Sequence, residues 1–146
     1  MCRAIEEAQC AYDEGEVPIG AVAVEDGVAI AFEHNRTEQL NDCTAHAEML
    51  ILKKLFEIKK SWRLENIILY VTLEPCLMCA GAIQLARIKK LVFGAYNEKK
   101  GAVKTLLNAF EIPQLNHRVE IVEGIKKEEC EKLLKNFFIE RRNEDL

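Results

Sequence analysis

The 146-residue chain predicts an α/β domain built on a mixed sheet, and two patterns carry that expectation. In residues 17–35, VPIGAVAVEDGVAIAFEHN, two runs of small and β-branched residues flank Asp26-Gly27, a dipeptide suited to a two-residue hairpin turn. Pairing there is antiparallel. Residues 67–95 then read as strand, helix, strand, which implies a parallel, right-handed crossover. With about 150 residues per domain as the expectation, residues 1–146 form one domain. A chain of this size buries roughly 68–70% of its unfolded surface, so it needs no disulfide staple.

The elements follow in order. Ala4, Ile5, Ala8, Ala11 and Tyr12 recur at helical spacing, which gives an opening helix that stops near Gly15. After the hairpin, Thr44 is placed to cap a helix over AHAEMLILKKLFEIKK, with Met49, Leu50, Leu52 and Phe56 toward the core. A buried strand spans Ile67 to Leu73. Pro75 suits the first turn of a helix over CLMCAGAIQLARI, and Leu91 to Ala95 forms the next strand. Val103 to Phe110 reads as a short helix and His117 to Val122 as an alternating strand. The closing helix presents Cys130, Leu133, Leu134, Phe137 and Phe138 as one apolar stripe, a core pattern.

Composition narrows the function classes. Hydrophobic residues make up 49% and charged residues 30%, which excludes disordered, collagen-like and coiled-coil chains. The net charge of −4 argues against coating nucleic acid through bulk positive charge, but leaves room for a local basic surface. Six cysteines, unevenly spread in a domain that needs no staple, read as reduced thiols. No stretch nears the 18 or so apolar residues of a membrane span, and MCRAIEEAQC carries carboxylates where a signal peptide has its apolar core, so a cytoplasmic protein is expected.

The chemistry resides in His46-Ala47-Glu48 and, with 26 residues between, Pro75-Cys76-Leu77-Met78-Cys79. One imidazole and two thiols suit zinc. Cysteines three apart at a helix start project to one side, where the helix dipole favours thiolates. No fourth protein ligand is evident, since Cys43 has no way in, and three ligands leave a position open for water. A site of two thiolates and a neutral imidazole has net charge near zero and acidifies water less than an all-histidine site, so it needs a nearby base. Glu48 is the candidate. On a regular helix His46 and Glu48 would point about 200° apart, so Glu48 reads as proton carrier rather than ligand. Singly, HxE and CxxC are weak signals. In this order, with proline before the first cysteine, they match the zinc nucleobase-deaminase signature.

Beyond that signature, EVPIGAVAV, HNR, TAHAEM, LYVTLEPCLMCAGAI, ARI, LVFGA and NHRVEI resemble the bacterial tRNA-specific adenosine deaminases across nearly the whole chain. The resemblance implies a three-layer α/β/α cytidine-deaminase-like fold with five strands and helices on both faces, commonly as a homodimer. By position it implies zinc on His46, Cys76 and Cys79, Glu48 as proton shuttle, and Asn35 as a base contact. Without it, Asn35 would read as a turn residue after the second strand.

The implied reaction is deamination of adenosine to inosine at the tRNA wobble position, on a base extruded from the anticodon loop. The alternative is a deaminase of free nucleobases or nucleosides, of guanine or cytosine type, which shares the zinc signature. Residues 84–105 carry Arg87, Lys89, Lys90, Lys99, Lys100 and Lys104 against Glu98, a local +5 expected to touch RNA phosphates in part. Asn97 stands where many bacterial members of the family carry an aspartate near the target nucleotide's sugar. An amide can donate as well as accept, which bears on the preference for RNA over DNA.

Overall fold

The computed structural model describes residues 1–146. Its elements are α1 (Cys2–Asp13), β1 (Gly20–Glu25), β2 (Val28–His34), α2 (Thr37–Leu40), α3 (Ala47–Lys59), β3 (Ile67–Leu73), α4 (Leu77–Leu85), β4 (Lys90–Ala95), β5 (Glu120–Val122) and α5 (Lys127–Glu144). The five strands form one mixed sheet in the order β2-β1-β3-β4-β5. β1 pairs antiparallel with β2 and β3, whereas β3–β4 and β4–β5 are parallel. This is the expected cytidine-deaminase-like arrangement. Asp26 and Gly27 both take positive φ, 49° and 76°, so Glu25 and Val28 pair directly across the two-residue turn.

The helices lie in two layers. α3 and α4 contact each other on one side of the sheet, and α1 and α5 contact each other on the opposite side. Ala4, Ala8 and Ala11 of α1 are fully buried, and their small side chains let the helix approach β1 closely. His34, at the end of β2, ties α1 to the sheet: its Nδ1 is 2.8 Å from Glu7 Oε2 and its Nε2 is 2.9 Å from Glu14 Oε2. The core beneath α3 and α4 contains Ile51, Leu52, Leu55, Leu69, Val71, Ile83 and Phe93.

Several local expectations change. α3 starts at Ala47, because Asp42 Oδ1 accepts the Thr44 N–H at 2.8 Å and the Thr44 hydroxyl at 2.7 Å, forming a local turn instead of a Thr44 cap. Its buried face is Ala47, Glu48, Ile51, Leu52 and Leu55, so of the expected core positions only Leu52 is fully buried. Pro75 precedes α4, and Cys76 occupies the cap position. Residues 102–105 form turns and 106–108 are irregular, with a 3-10 turn only at Ala109–Glu111, because the amides of Val103, Lys104 and Thr105 bond to a buried carboxylate described below. β5 keeps just three of the six expected residues. In α5, Phe138 is 48% exposed, and the buried stripe narrows to Cys130 and Phe137, with Leu133 and Leu134 half-buried.

The antiparallel pairings make β2 run in the same direction as β3 and β4. The C-terminal ends of these three strands therefore lie at one edge of the sheet. That edge collects Asn35, Cys76 and Asn97, and the N-termini of α3 and α4 open onto it.

Candidate metal centre and active site

His46 has φ −73° and ψ 152°, an extended conformation just ahead of α3. This frees its side chain from helical geometry, so the 200° separation from Glu48 expected on a regular helix does not arise. Cys76 is likewise extended at φ −75° and ψ 175°, while Cys79 lies in the first turn of α4. His46 Nδ1 stands 3.6 Å from Cys76 Sγ and 3.6 Å from Cys79 Sγ. The three donor atoms lie within 4.8 Å of one another. Zinc bonds of about 2.3 Å to sulfur and 2.0 Å to nitrogen in a tetrahedron require a nitrogen–sulfur separation of about 3.5 Å, so these residues fit that ion in both chemistry and spacing. All six cysteines are free thiols.

The thiols divide the charge unequally. Cys76 is held down to about 3 by a hydrogen bond from the Cys79 thiol, with His46 adding to the effect against the opposing cost of burial. Cys79 is pushed up because its proton is shared with Cys76 and its surroundings are desolvated. Before metal binds, the pair is thus one thiolate and one thiol.

Glu48 is buried in the first turn of α3. Burial pushes its carboxyl up to about 7, against the pull of its own backbone N–H and of His46. Its Oε2 is buried without a hydrogen-bond partner. An unpaired buried carboxylate oxygen costs on the order of 1–3 kcal/mol, a burden usually borne where a ligand or a proton is to be received.

The two asparagines sit on neighbouring loops. Asn35 is buried, and its Nδ2 donates to Thr37 Oγ1 at 3.0 Å and Glu16 Oε2 at 3.4 Å. Asn97 is half-buried after β4, and its Oδ1 accepts the Lys100 N–H at 3.1 Å. A cleft of about 320 Å³ lies between the start of α4 and the 100–107 loop, lined among others by Cys76, Met78, Lys100, Ala102 and Leu107.

The family model described as MafB19-like deaminase matches residues 1–142. Over 142 residues the chain is 49% identical to the tRNA-specific adenosine deaminase of Bacillus subtilis (strain 168), covering 97% of this chain and 88% of that protein. The chain belongs to the tRNA-specific adenosine deaminase family. It is also 46% identical over 140 residues to the tRNA-specific adenosine deaminase of Aquifex aeolicus (strain VF5), covering 96% of this chain and 92% of that one. A solved structure from a study of A-to-I editing at the wobble position of transfer RNA superposes with a TM-score of 0.88 at 45% identity, over 92% of this chain and 97% of the other.

In this member of the deaminase family, two buried glutamates organise the site edge, and sequence reasoning missed both. Glu16 Oε1 accepts the Gln39 N–H at 2.6 Å, while its Oε2 accepts from Glu38 N and Thr37 Oγ1 at 3.3 Å and from Asn35 Nδ2. Glu74 Oε1 accepts the Asn97 N–H at 3.2 Å and the Thr105 hydroxyl, and Oε2 accepts the N–H groups of Val103, Lys104 and Thr105 at 3.1, 2.8 and 3.0 Å. Burial opposes ionisation of Glu74, yet the Thr105 hydroxyl and these amides outweigh it and hold the carboxyl below the ordinary glutamate value. A side chain at Gly101 would put its Cβ 2.5 Å from Glu74 Cδ, so the loop approaches this carboxylate closely only with glycine there. The available signal was an acid just before a proline segment, GEVP and LEPC.

The basic stretch 84–105 does not form one face. Arg87, Lys89 and Lys90 flank the start of β4, and Lys99, Lys100 and Lys104 follow its end, roughly 20 Å of strand apart. Only the second group lies at the site edge. Within it, Lys104 is 3.7 Å from Glu111 and 3.8 Å from Glu123.

Proposed function

We propose that this chain is a zinc-dependent hydrolase that converts adenosine to inosine at the wobble position of a tRNA anticodon loop. The observation that carries the reading is the buried Glu48 carboxylate, with Oε2 unpartnered, beside a His-Cys-Cys group of tetrahedral dimensions. His46, Cys76 and Cys79 would hold the zinc, one ion per subunit, and the ion supplies the Lewis acidity that makes water nucleophilic near neutral pH.

Glu48 moves the protons. Ionised, it takes one from the attacking water as the oxygen bonds to carbon 6 of the adenine ring. Protonated, it delivers that proton to the adjacent ring nitrogen; ionised again, it takes the proton left on the newly bonded oxygen and gives it to the departing amine as the carbon–nitrogen bond breaks. Water enters, ammonia leaves, and a carbonyl remains at carbon 6. A carboxyl near 7 serves both halves of this cycle, since neither form is scarce at physiological pH.

Asn35 contacts the base. Its amide nitrogen is occupied by Thr37 and Glu16, which fixes the side chain and leaves Oδ1 to accept from the nucleobase. Asn97 contacts the target nucleotide near its sugar, with Oδ1 committed to Lys100 and Nδ2 as the free donor. The target base must leave its stack to enter, which costs least in a single-stranded loop. Lys99 and Lys100, exposed at the same edge, supply charge for the adjoining phosphates.

The working unit in this reading is a homodimer. α4 presents Leu77 and Leu85 at 60% and 71% exposure, and Leu106 and Leu107 are exposed nearby, an apolar surface that a second copy would cover. Six free cysteines support a cytoplasmic setting, and no helix is long and apolar enough to cross a membrane.

Ammonia release from an anticodon stem-loop carrying the wobble adenosine, compared with free adenosine, cytidine and guanine, tests the assignment. Release from the stem-loop with none from the free compounds is expected. Release from guanine or a free nucleoside alone would assign the chain to the free-base deaminases instead.

A further inference from the structure

At the sheet edge opposite the candidate active site, the loop leaving α3 meets the loop leaving α4. The Leu64 N–H donates to Ala86 O at 2.8 Å and the Lys89 N–H to Ile67 O at 3.0 Å, so the two loops form one surface. Trp62 stands on it at 56% exposure. The Arg63 guanidinium lies 4.9 Å from the Trp62 ring centroid and that of Arg87 lies 6.0 Å from it. Lys60 and Lys89 are exposed beside them.

These cations differ from the other lysines nearby. Lys59 is paired with Glu25 at 2.7 Å and Lys90 with Glu120 at 3.5 Å, whereas Lys60, Arg87 and Lys89 have no carboxylate within ion-pair reach. Arg63 reaches Glu65 at 3.3 Å with one nitrogen only. Lys60 and Arg87 also adopt left-handed backbone, φ 53° and 61°, where glycine is the residue of least strain. Cations at helix C-termini are stabilised by the helix dipole, which accounts for charge at Lys60 and Arg87. It does not account for Lys89 just ahead of β4, or for an exposed indole near two guanidinium groups.

We propose that Trp62, Arg63, Arg87, Lys60 and Lys89 form a docking surface for the phosphate backbone of RNA, separate from the catalytic edge. The indole lies within cation–π range of both guanidinium groups, and a planar fork of N–H donors matches phosphate oxygens. Lys60 and Lys89 add point charges at the margin. The surface reads no base sequence, because backbone contacts position RNA without specifying it. α3 spans about 20 Å between the two edges, so a folded RNA bound at the catalytic edge would meet this surface through a part remote from the target base. A second copy of the chain fits poorly, since a two-fold contact would set these cations against their own copies. The proposal rests on the RNA substrate argued above and assigns the Arg87–Lys89 half of the basic stretch a role of its own.

Trp62 is the only tryptophan in the chain, so fluorescence excited selectively at tryptophan, clear of the three tyrosines, reports on this surface alone. Zinc-loaded protein is titrated with an unmodified transcript of a tRNA carrying the wobble adenosine, and Arg87→Glu/Lys89→Glu is compared with wild type in deamination across a salt series. The expected results are a fluorescence change saturating with tRNA, a KM raised about tenfold with kcat within about twofold, and a salt slope shallower by about 2. Lys60→Glu/Arg63→Glu, on the exposed margin, should move KM and slope in the same direction and covers the case in which the first variant fails to fold. Unchanged fluorescence with unchanged salt slope overturns the proposal. So does a loss confined to kcat, which would place the effect in the active site, or a fluorescence shift that follows protein concentration without RNA, which would make the partner a second copy. If the wild type binds tRNA with a Trp62 signal but releases no ammonia, the proposed reaction fails while the docking surface stands.

Discussion

Glu74 and Asn97 lie 23 residues apart in sequence, and Glu74 Oε1 accepts the Asn97 backbone N–H at 3.2 Å. The same carboxylate, two residues before the metal-ligating Cys76, gathers four further donors from Val103, Lys104 and Thr105. One buried anion thus fixes the loop that carries Asn97 and Lys100 relative to the Cys76–Cys79 turn. Ala102 N–H, donating to Pro75 O at 2.9 Å, reinforces the link.

Glu74→Gln replaces one acceptor with an NH₂ group aimed at N–H donors. The variant should lose about 2 kcal/mol of stability, seen as a Tm lower by roughly 4–8 °C. Zinc content should stay at one per chain, because Cys76 itself is untouched. Thermal melting with metal analysis checks both, and an unchanged Tm would mean that the five hydrogen bonds contribute nothing net.

Asn97→Asp keeps the acceptor for the Lys100 N–H and removes the free amide donor. Deamination of matched RNA and DNA loops should show a higher RNA-to-DNA ratio in the variant than in the wild type. A strict RNA preference in the wild type, unaltered by the substitution, would show that Asn97 does not set it.

The pH response of the metal-free protein follows from Glu48. Its folded-state carboxyl is raised to about 7 from an ordinary 4.5. Stability from this group is therefore full below 4.5 and lost as pH rises through 7, because the unfolded chain ionises first. Glu48→Gln removes the penalty, so its stability advantage over wild type should grow by up to about 3 kcal/mol between pH 4.5 and pH 8. Denaturant unfolding in the presence of a chelator at the two pH values measures it. A difference independent of pH would contradict the burial argument.

Much of this was legible in the sequence because the signals were local. The Asp26-Gly27 turn, the Ile67–Leu73 strand and the His46, Glu48, Cys76, Cys79 set each follow from short-range pattern, and the structure brings these four side chains together. What was not legible depends on contacts made across the chain. The true start of α3 depends on Asp42 capturing Thr44, and without that turn His46 would be helical and directed away from Glu48. Val103 to Phe110 looks helical by spacing, yet the amides of Val103, Lys104 and Thr105 are drawn to Glu74, about thirty residues away. Glu16 and Glu74 carry only the faint signal of an acid close before a proline, because their burial depends on loops that return to them from more than twenty residues away. Phe138 continues an apolar stripe that α1 and the sheet are too narrow to cover.

The central claim is that Glu48 carries protons for a metal held by three other residues. The direct measurement is ammonia and inosine formation from the anticodon stem-loop, alongside zinc per chain, in wild type and Glu48→Ala. The account predicts one zinc per chain in both proteins and a loss of turnover of at least about a thousandfold in the variant. Near-normal deamination by fully zinc-loaded Glu48→Ala would contradict it.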